Sequence, residues 1–146
     1  LDHFIKPEME LWLDGGHNPS AGRVISRAFS DINERHSRPL VLIWGMLNTK
    51  DAAKFIEPFA GLAHLVLTLT IPGEANAVPA EKLSEIVEST GMAAEPADDL
   101  AEALDRASQI EPAPRVLICG SLYLAGHVLA LHAGEEPSAV TGAARR

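Results

Sequence analysis

At 146 residues, 47% hydrophobic and 22% charged, the chain has the size and balance of one globular domain, which excludes a disordered or fibrous protein. Twenty acidic residues against twelve basic ones give a net charge of -8, and Arg23, Arg27, Arg35, Arg38, Arg145 and Arg146 are spread without interleaved aromatics, so no nucleic-acid or membrane partner is expected. The single cysteine, Cys119, excludes an internal disulfide; with no apolar run of about eighteen residues and no export leader, the expected location is the cytoplasm.

Short apolar runs alternate with helical periodicity along the chain, the pattern of an α/β domain whose mostly parallel sheet is covered on both faces. A first strand is predicted over Glu10 to Leu13. In the helix after it, Ala21, Val24, Ile25, Ala28, Phe29 and Ile32 recur at offsets of three and four and form one apolar stripe. Asn18 can cap that helix, and Pro19 suits its first position, where no amide donor is needed. A strand over Leu40 to Trp44 leads to a helix carrying Ala52, Phe55, Ile56 and Phe59.

A third strand, Leu65 to Thr70, leads to a helix that opens near Pro79, buries Leu83, Ile86 and Val87, and stops at Gly91. After a weaker strand near Met92 to Glu95, a helix from about Asp98 has Asp99 and Glu102 at capping-box spacing and turns Leu100, Ala103, Leu104 and Ala107 inward. A strand over Arg115 to Cys119 and a helix after Gly120, burying Leu122, Ala125, Val128 and Leu129, complete a domain spanning 1–133. From Gly134 onward the chain turns small and polar, and a frayed tail is expected over 134–146.

Ligands of open α/β sheets bind outside the carboxyl ends of the strands, in the loops that lead into helices. Three such loops stand out. In the run from Asp14 to Pro19, two glycines let the backbone approach a ligand, Asp14 can accept from ribose hydroxyls, and His17 can donate or stack. The same residues also suit a plain turn, with Asp14 and Asn18 bonding local backbone. The loop from Gly45 to Asp51 brings Lys50 to a strand end, where its cation could meet an anion or merely sit in solvent at a helix start. In the third, Ser121 sits at a helix N-terminus, suited to a carboxylate or phosphate or to capping alone, with Tyr123 beside it.

Together the LDGGHNP, GMLNTKD and CGSLYLAG segments, in this order and spacing, resemble the C-terminal domain of folylpolyglutamate synthases and dihydrofolate synthases, within the Mur ligase superfamily. The likeness runs from about Leu11 to Leu131, and the Ser-Leu-Tyr-Leu-x-Gly run favours this branch over the muramyl-peptide ligases. Two departures are visible: Gly16 stands where alanine is common, and Asn48-Thr49 where an aspartate often precedes Lys-Asp.

The resemblance implies a Rossmann-like three-layer sandwich and an ATP-dependent ligase that adds L-glutamate to folate or dihydropteroate through an acyl phosphate. It implies a nucleotide contact at Asp14, His17 and Asn18, and a glutamate contact at Ser121, with Lys50 and Tyr123 as weaker candidates. No G-x-x-x-x-G-K-[ST] occurs, so the phosphate-cradling loop and the Mg2+ ligands are expected in a separate N-terminal ATPase domain, without which this chain would be inactive. A muramyl-peptide-type domain, a free-standing nucleotide-binding or regulatory module and a protein-interaction domain are the competing readings.

Overall fold

The computed structural model describes residues 8–133 and 143–145. In chain order the elements are β1 (Glu10–Asp14), α1 (Pro19–Arg35), β2 (Leu40–Trp44), α2 (Ala52–Ile56) with a 3-10 turn (Glu57–Phe59), β3 (Ala63–Thr68), α3 (Ala80–Glu88), β4 (Ala94–Pro96), α4 (Leu100–Ser108), β5 (Arg115–Cys119), α5 (Leu122–Ala133) and β6 (Ala143–Arg145). Five parallel strands stand in the order β4-β3-β2-β5-β1, and β6 pairs antiparallel with the outer edge of β1. Of the tail expected over 134–146, residues 134–142 and 146 lie outside the described residues, and Ala143–Arg145 form that edge strand.

The three-layer sandwich read from the sequence is the observed architecture. β2 and β5 occupy the centre, and all five residues of each are buried: a parallel strand covered on both faces is apolar along most of its length, and the one charge in β5, Arg115, is paired with Glu10. On one face Leu11, Leu13, Val41, Ile43, Val116 and Ile118 pack under α4 and α5. On the other, Leu42, Trp44, Leu117 and Cys119 pack under α1, α2 and α3. Among the described residues no helix is long and apolar enough to cross a membrane.

Capping follows local chemistry. Asn18 Oδ1 accepts the Ala21 amide at 2.8 Å, and Asp99 Oδ1 accepts the Glu102 amide at 2.8 Å while Glu102 Oε1 accepts that of Asp98 at 2.9 Å. The buried face of α1 differs from the predicted stripe: Gly22, Ile25, Ser26 and Phe29 are buried, whereas Val24 is 69% exposed and Ala28 is exposed. The cause is a close helix contact. A Cβ at Gly22 would lie 2.4 Å from the Phe55 carbonyl oxygen, so α2 seats against the small residues and the helix is turned accordingly. In α5, Leu124 is buried, while Leu122 and Leu129 are only half-buried.

β3 begins and ends two residues earlier than predicted, and Leu69 beyond it donates its amide to Trp44 O at 2.9 Å. Buried Thr68 Oγ1 bonds Ala80 O at 2.8 Å and Ser84 Oγ at 2.7 Å, and Thr70 Oγ1 accepts the Ala80 amide at 2.9 Å. These bonds pin the start of α3, and with it the loop after β3, to the sheet. At the opposite end of the strands, the nearly buried Arg115 guanidinium grips Glu10 through Nε–Oε1 and Nη2–Oε2 contacts of 3.1 and 3.2 Å, tying β5 to β1.

Candidate ligand cleft at the carboxyl ends of the central strands

β1, β5 and β2 end side by side: Leu13 stands opposite Ile118, and Trp44 opposite Cys119. The helices following β1 and β2 turn to one face of the sheet, and the helix following β5 turns to the other. Divergence of this kind leaves a crevice above the strand ends. A cleft of about 320 Å³ opens there.

The loops reach it in turn. His17 enters from the loop after β1; Met46, Leu47 and Asn48 from the loop after β2; Gly120 and Ser121, with Leu122 and Tyr123 of the first turn of α5, from the loop after β5. The three motif loops therefore meet at one opening. Asn76, from the loop after β3, closes a further side. The sequence reading had missed Asn76 and had given no role to Met46, Leu47 or Asn48. The rule that ligands gather at strand carboxyl ends covers all four, but only the fold brings the β3 loop within reach.

Ser121 is 3% exposed, and its Oγ accepts the amides of Tyr123 at 3.0 Å and Leu124 at 3.4 Å. It caps α5, so both of its lone pairs are engaged and its hydroxyl proton is what it has left to offer. Tyr123 is 48% exposed and flanks the mouth. Asp14, the last residue of β1, is half-buried, and its Oδ1 accepts the Gly16 amide at 2.8 Å, which fixes the turn leading to His17. Asn18 caps α1 through its Oδ1 and keeps its Nδ2 hydrogens, and Lys50 is exposed on the loop before α2; both lie outside the cleft lining.

Beneath the opening, Asp14, Cys119 and Trp44 end three adjacent strands. Burial, and secondarily the Asp14 charge, push the Cys119 thiol far above its ordinary range, so it stays protonated and inert as a nucleophile. Trp44 Nε1 is buried without an acceptor among the described residues. Gly120, with φ 109°, passes so close above it that an added Cβ would lie 2.2 Å from Gly45 O and 2.7 Å from Trp44 Cδ1. Only glycine lets the β5 loop descend that far, which sets the cleft floor. Among the described residues no group of three His, Cys, Asp or Glu side chains is arranged to hold a metal ion.

A doubly wound sheet with a cleft at its topological switch defines a lobe of Rossmann-like type. More specifically, the chain belongs to the Mur ligase family, glutamate ligase domain, whose model matches residues 4–122. A folylpolyglutamate synthase of Lacticaseibacillus casei is 28% identical over 116 residues, which are 80% of this chain and 25% of that protein.

Two solved structures share the fold. One is FolC of E. coli in complex with DHPP and ADP, with TM-score 0.70, 23% identity, and coverage of 83% of this chain and 28% of that one. The other is a ligand-free bifunctional folylpolyglutamate synthase/dihydrofolate synthase from Yersinia pestis, with TM-score 0.68, 27% identity, and coverage of 84% and 29%. The chain thus spans 25% to 29% of the length of these relatives. The resemblance read from the three motifs is borne out by both the family and the relatives.

Proposed function

We propose that this chain is the glutamate-receiving lobe of an ATP-dependent ligase that joins L-glutamate to folate or dihydropteroate. The observation that carries the reading is the meeting of His17 and Ser121, from two separate motifs, in one cleft beside Asp14.

The chemistry explains why a lobe of this form is useful. A carboxylate is a poor acyl donor until one oxygen is converted to a phosphate leaving group. ATP supplies that phosphate; the glutamate amine then attacks the acyl carbon, and inorganic phosphate departs. Water must be kept out during the interval, which is the task of a second lobe closing over the first.

The residues suit these roles. Asp14 Oδ2 has no partner among the described residues and can accept from a ribose hydroxyl, with His17 and Asn18 next to it at the start of α1. Ser121, restricted to donating, suits a glutamate carboxylate at the N-terminus of α5, with Tyr123 alongside and Lys50 available from the neighbouring loop. The phosphate-binding loop and the ligands for Mg2+ belong, in this reading, to an N-terminal ATPase domain. That domain would be the first partner of this one.

The test is made in the parent enzyme, with this chain joined to its ATPase portion. Asp14→Ala or His17→Ala should lower the rate of glutamate addition by about tenfold or more while the unfolding midpoint stays unchanged. Normal turnover of the Asp14→Ala enzyme would overturn the site assignment. Appreciable ATP binding by the isolated chain would favour a free-standing nucleotide module instead.

A further inference from the structure

The lining of the cleft contains no Asp, Glu, Lys or Arg. Ser121 Oγ accepts two amides of α5, which leaves its hydroxyl proton available to an acceptor in the cleft. An acceptor in the cleft, such as a carboxylate, would meet that hydroxyl and the His17 imidazole, which lines the same space. Lys50, the one cation of the motif loops, lies outside the lining.

Two asparagines offer further donors. The loops after β2 and β3 are joined by a hydrogen bond from the Val78 amide to Met46 O at 2.9 Å. Asn48 lies two residues after one end of that bond and Asn76 two residues before the other, and both line the cleft. Asn48 Oδ1 accepts the Asp51 amide at 3.2 Å, which fixes the orientation of its side-chain amide and leaves both Nδ2 hydrogens free among the described residues. The Asn76 side chain has no partner among the described residues, while its loop is held by the Val78 bond and by the Ala77 amide donating to Glu74 O at 3.1 Å. Two amide groups on loops fastened to each other thus border the same space as the Ser121 hydroxyl.

We infer that Asn48 and Asn76 are specificity-determining residues that, with Ser121, hold a carboxylate of the incoming amino acid through side-chain hydrogen bonds. The inference rests on the function proposed above and deepens it. Converging donors and the N-terminus of the 12-residue α5 would stabilise the anion together.

The experiment measures KM for L-glutamate and for ATP in the full-length parent enzyme and in its Asn76→Ala and Asn76→Asp variants. Asn76→Ala removes donors and should raise KM for glutamate by about fivefold to tenfold. Asn76→Asp is nearly isosteric but replaces donors with a like charge, and should raise it by roughly a further tenfold. KM for ATP should stay within about twofold in both, and a merely structural loop residue would give neither the selectivity nor the order of the two variants. Unchanged KM for glutamate in both variants, or a change confined to ATP, overturns this inference while leaving the proposed function standing. A wild-type parent that does not use glutamate overturns the proposed function itself.

Discussion

Replacing Gly120 with alanine tests the geometry of the cleft floor directly. Its φ of 109° is one that L side chains rarely adopt, which costs about 1–3 kcal/mol for any non-glycine residue. The new Cβ would also lie 2.2 Å from the backbone oxygen of Gly45, a contact that rotating a side chain cannot relieve. Relief requires moving the ends of β2 and β5 apart, where the Gly45 amide donates to Cys119 O at 3.3 Å, or tilting the buried Trp44 indole. Overpacking of that kind costs about 1–3 kcal/mol more, so the whole effect is about 2–6 kcal/mol. At about 3 °C per kcal/mol for a domain of this size, the melting temperature should fall by about 6–18 °C.

Gly61→Ala is the control. Gly61 has φ 83° with nothing within 4 Å of an added Cβ, so it incurs the backbone strain without the clash. Thermal unfolding of the two variants followed by circular dichroism should separate them by about 3–9 °C. If Gly61→Ala falls as far as Gly120→Ala, the close approach of the β5 loop to Trp44 and Gly45 is refuted.

Two further perturbations probe the layers below the cleft. The Arg115 side chain is 2% exposed and that of Glu10 17%, while Glu10 also pairs with Arg38 at 3.3 Å. Glu10→Gln should therefore cost about 3–5 kcal/mol by leaving a buried guanidinium without its carboxylate, whereas Arg115→Met should cost distinctly less. Urea midpoints give the comparison, and equal losses would show that the desolvated arginine is not the costly partner. Cys119, whose folded pKa is raised, contributes stability that is fully present below the unfolded thiol pKa of about 8.5 and lost as pH rises above it. Between about pH 8 and about pH 10 the wild type should lose about 2 kcal/mol more than Cys119→Ala; parallel curves for the two proteins would contradict the buried neutral thiol.

The most legible elements were those whose signals are local. β2 and β5 were read to the residue, because an apolar run of four or five residues between polar turns has few other ways to be satisfied. The caps at Asn18 and Asp99 were likewise readable from residue type and spacing alone. What escaped depends on pairs distant in sequence. The rotated face of α1 is set by Gly22 meeting Phe55 O, and β6 is a strand of only three residues, two alanines and an arginine, that pairs with β1 from the far end of the chain.

The site divides along the same line. His17, Ser121 and Tyr123 were named from their motifs and do border one cleft, while Asp14 ends β1 and Asn18 caps α1 through its Oδ1, both outside the cleft lining. Asn76 could not be found from its own loop, which carries no motif. It joins the site only because the Val78 amide reaches Met46 O across the sheet top. Lys50 was drawn from the motif, but the cleft lining stops at Asn48.

The most direct measurement is the balance between ADP and amide in the full-length parent, supplied with ATP, L-glutamate, and folate or dihydropteroate. A glutamate ligase completed by this lobe releases ADP at a rate that rises with L-glutamate and matches the new amide mole for mole. Release of ADP that ignores L-glutamate and yields no amide would contradict the assignment of this cleft to glutamate.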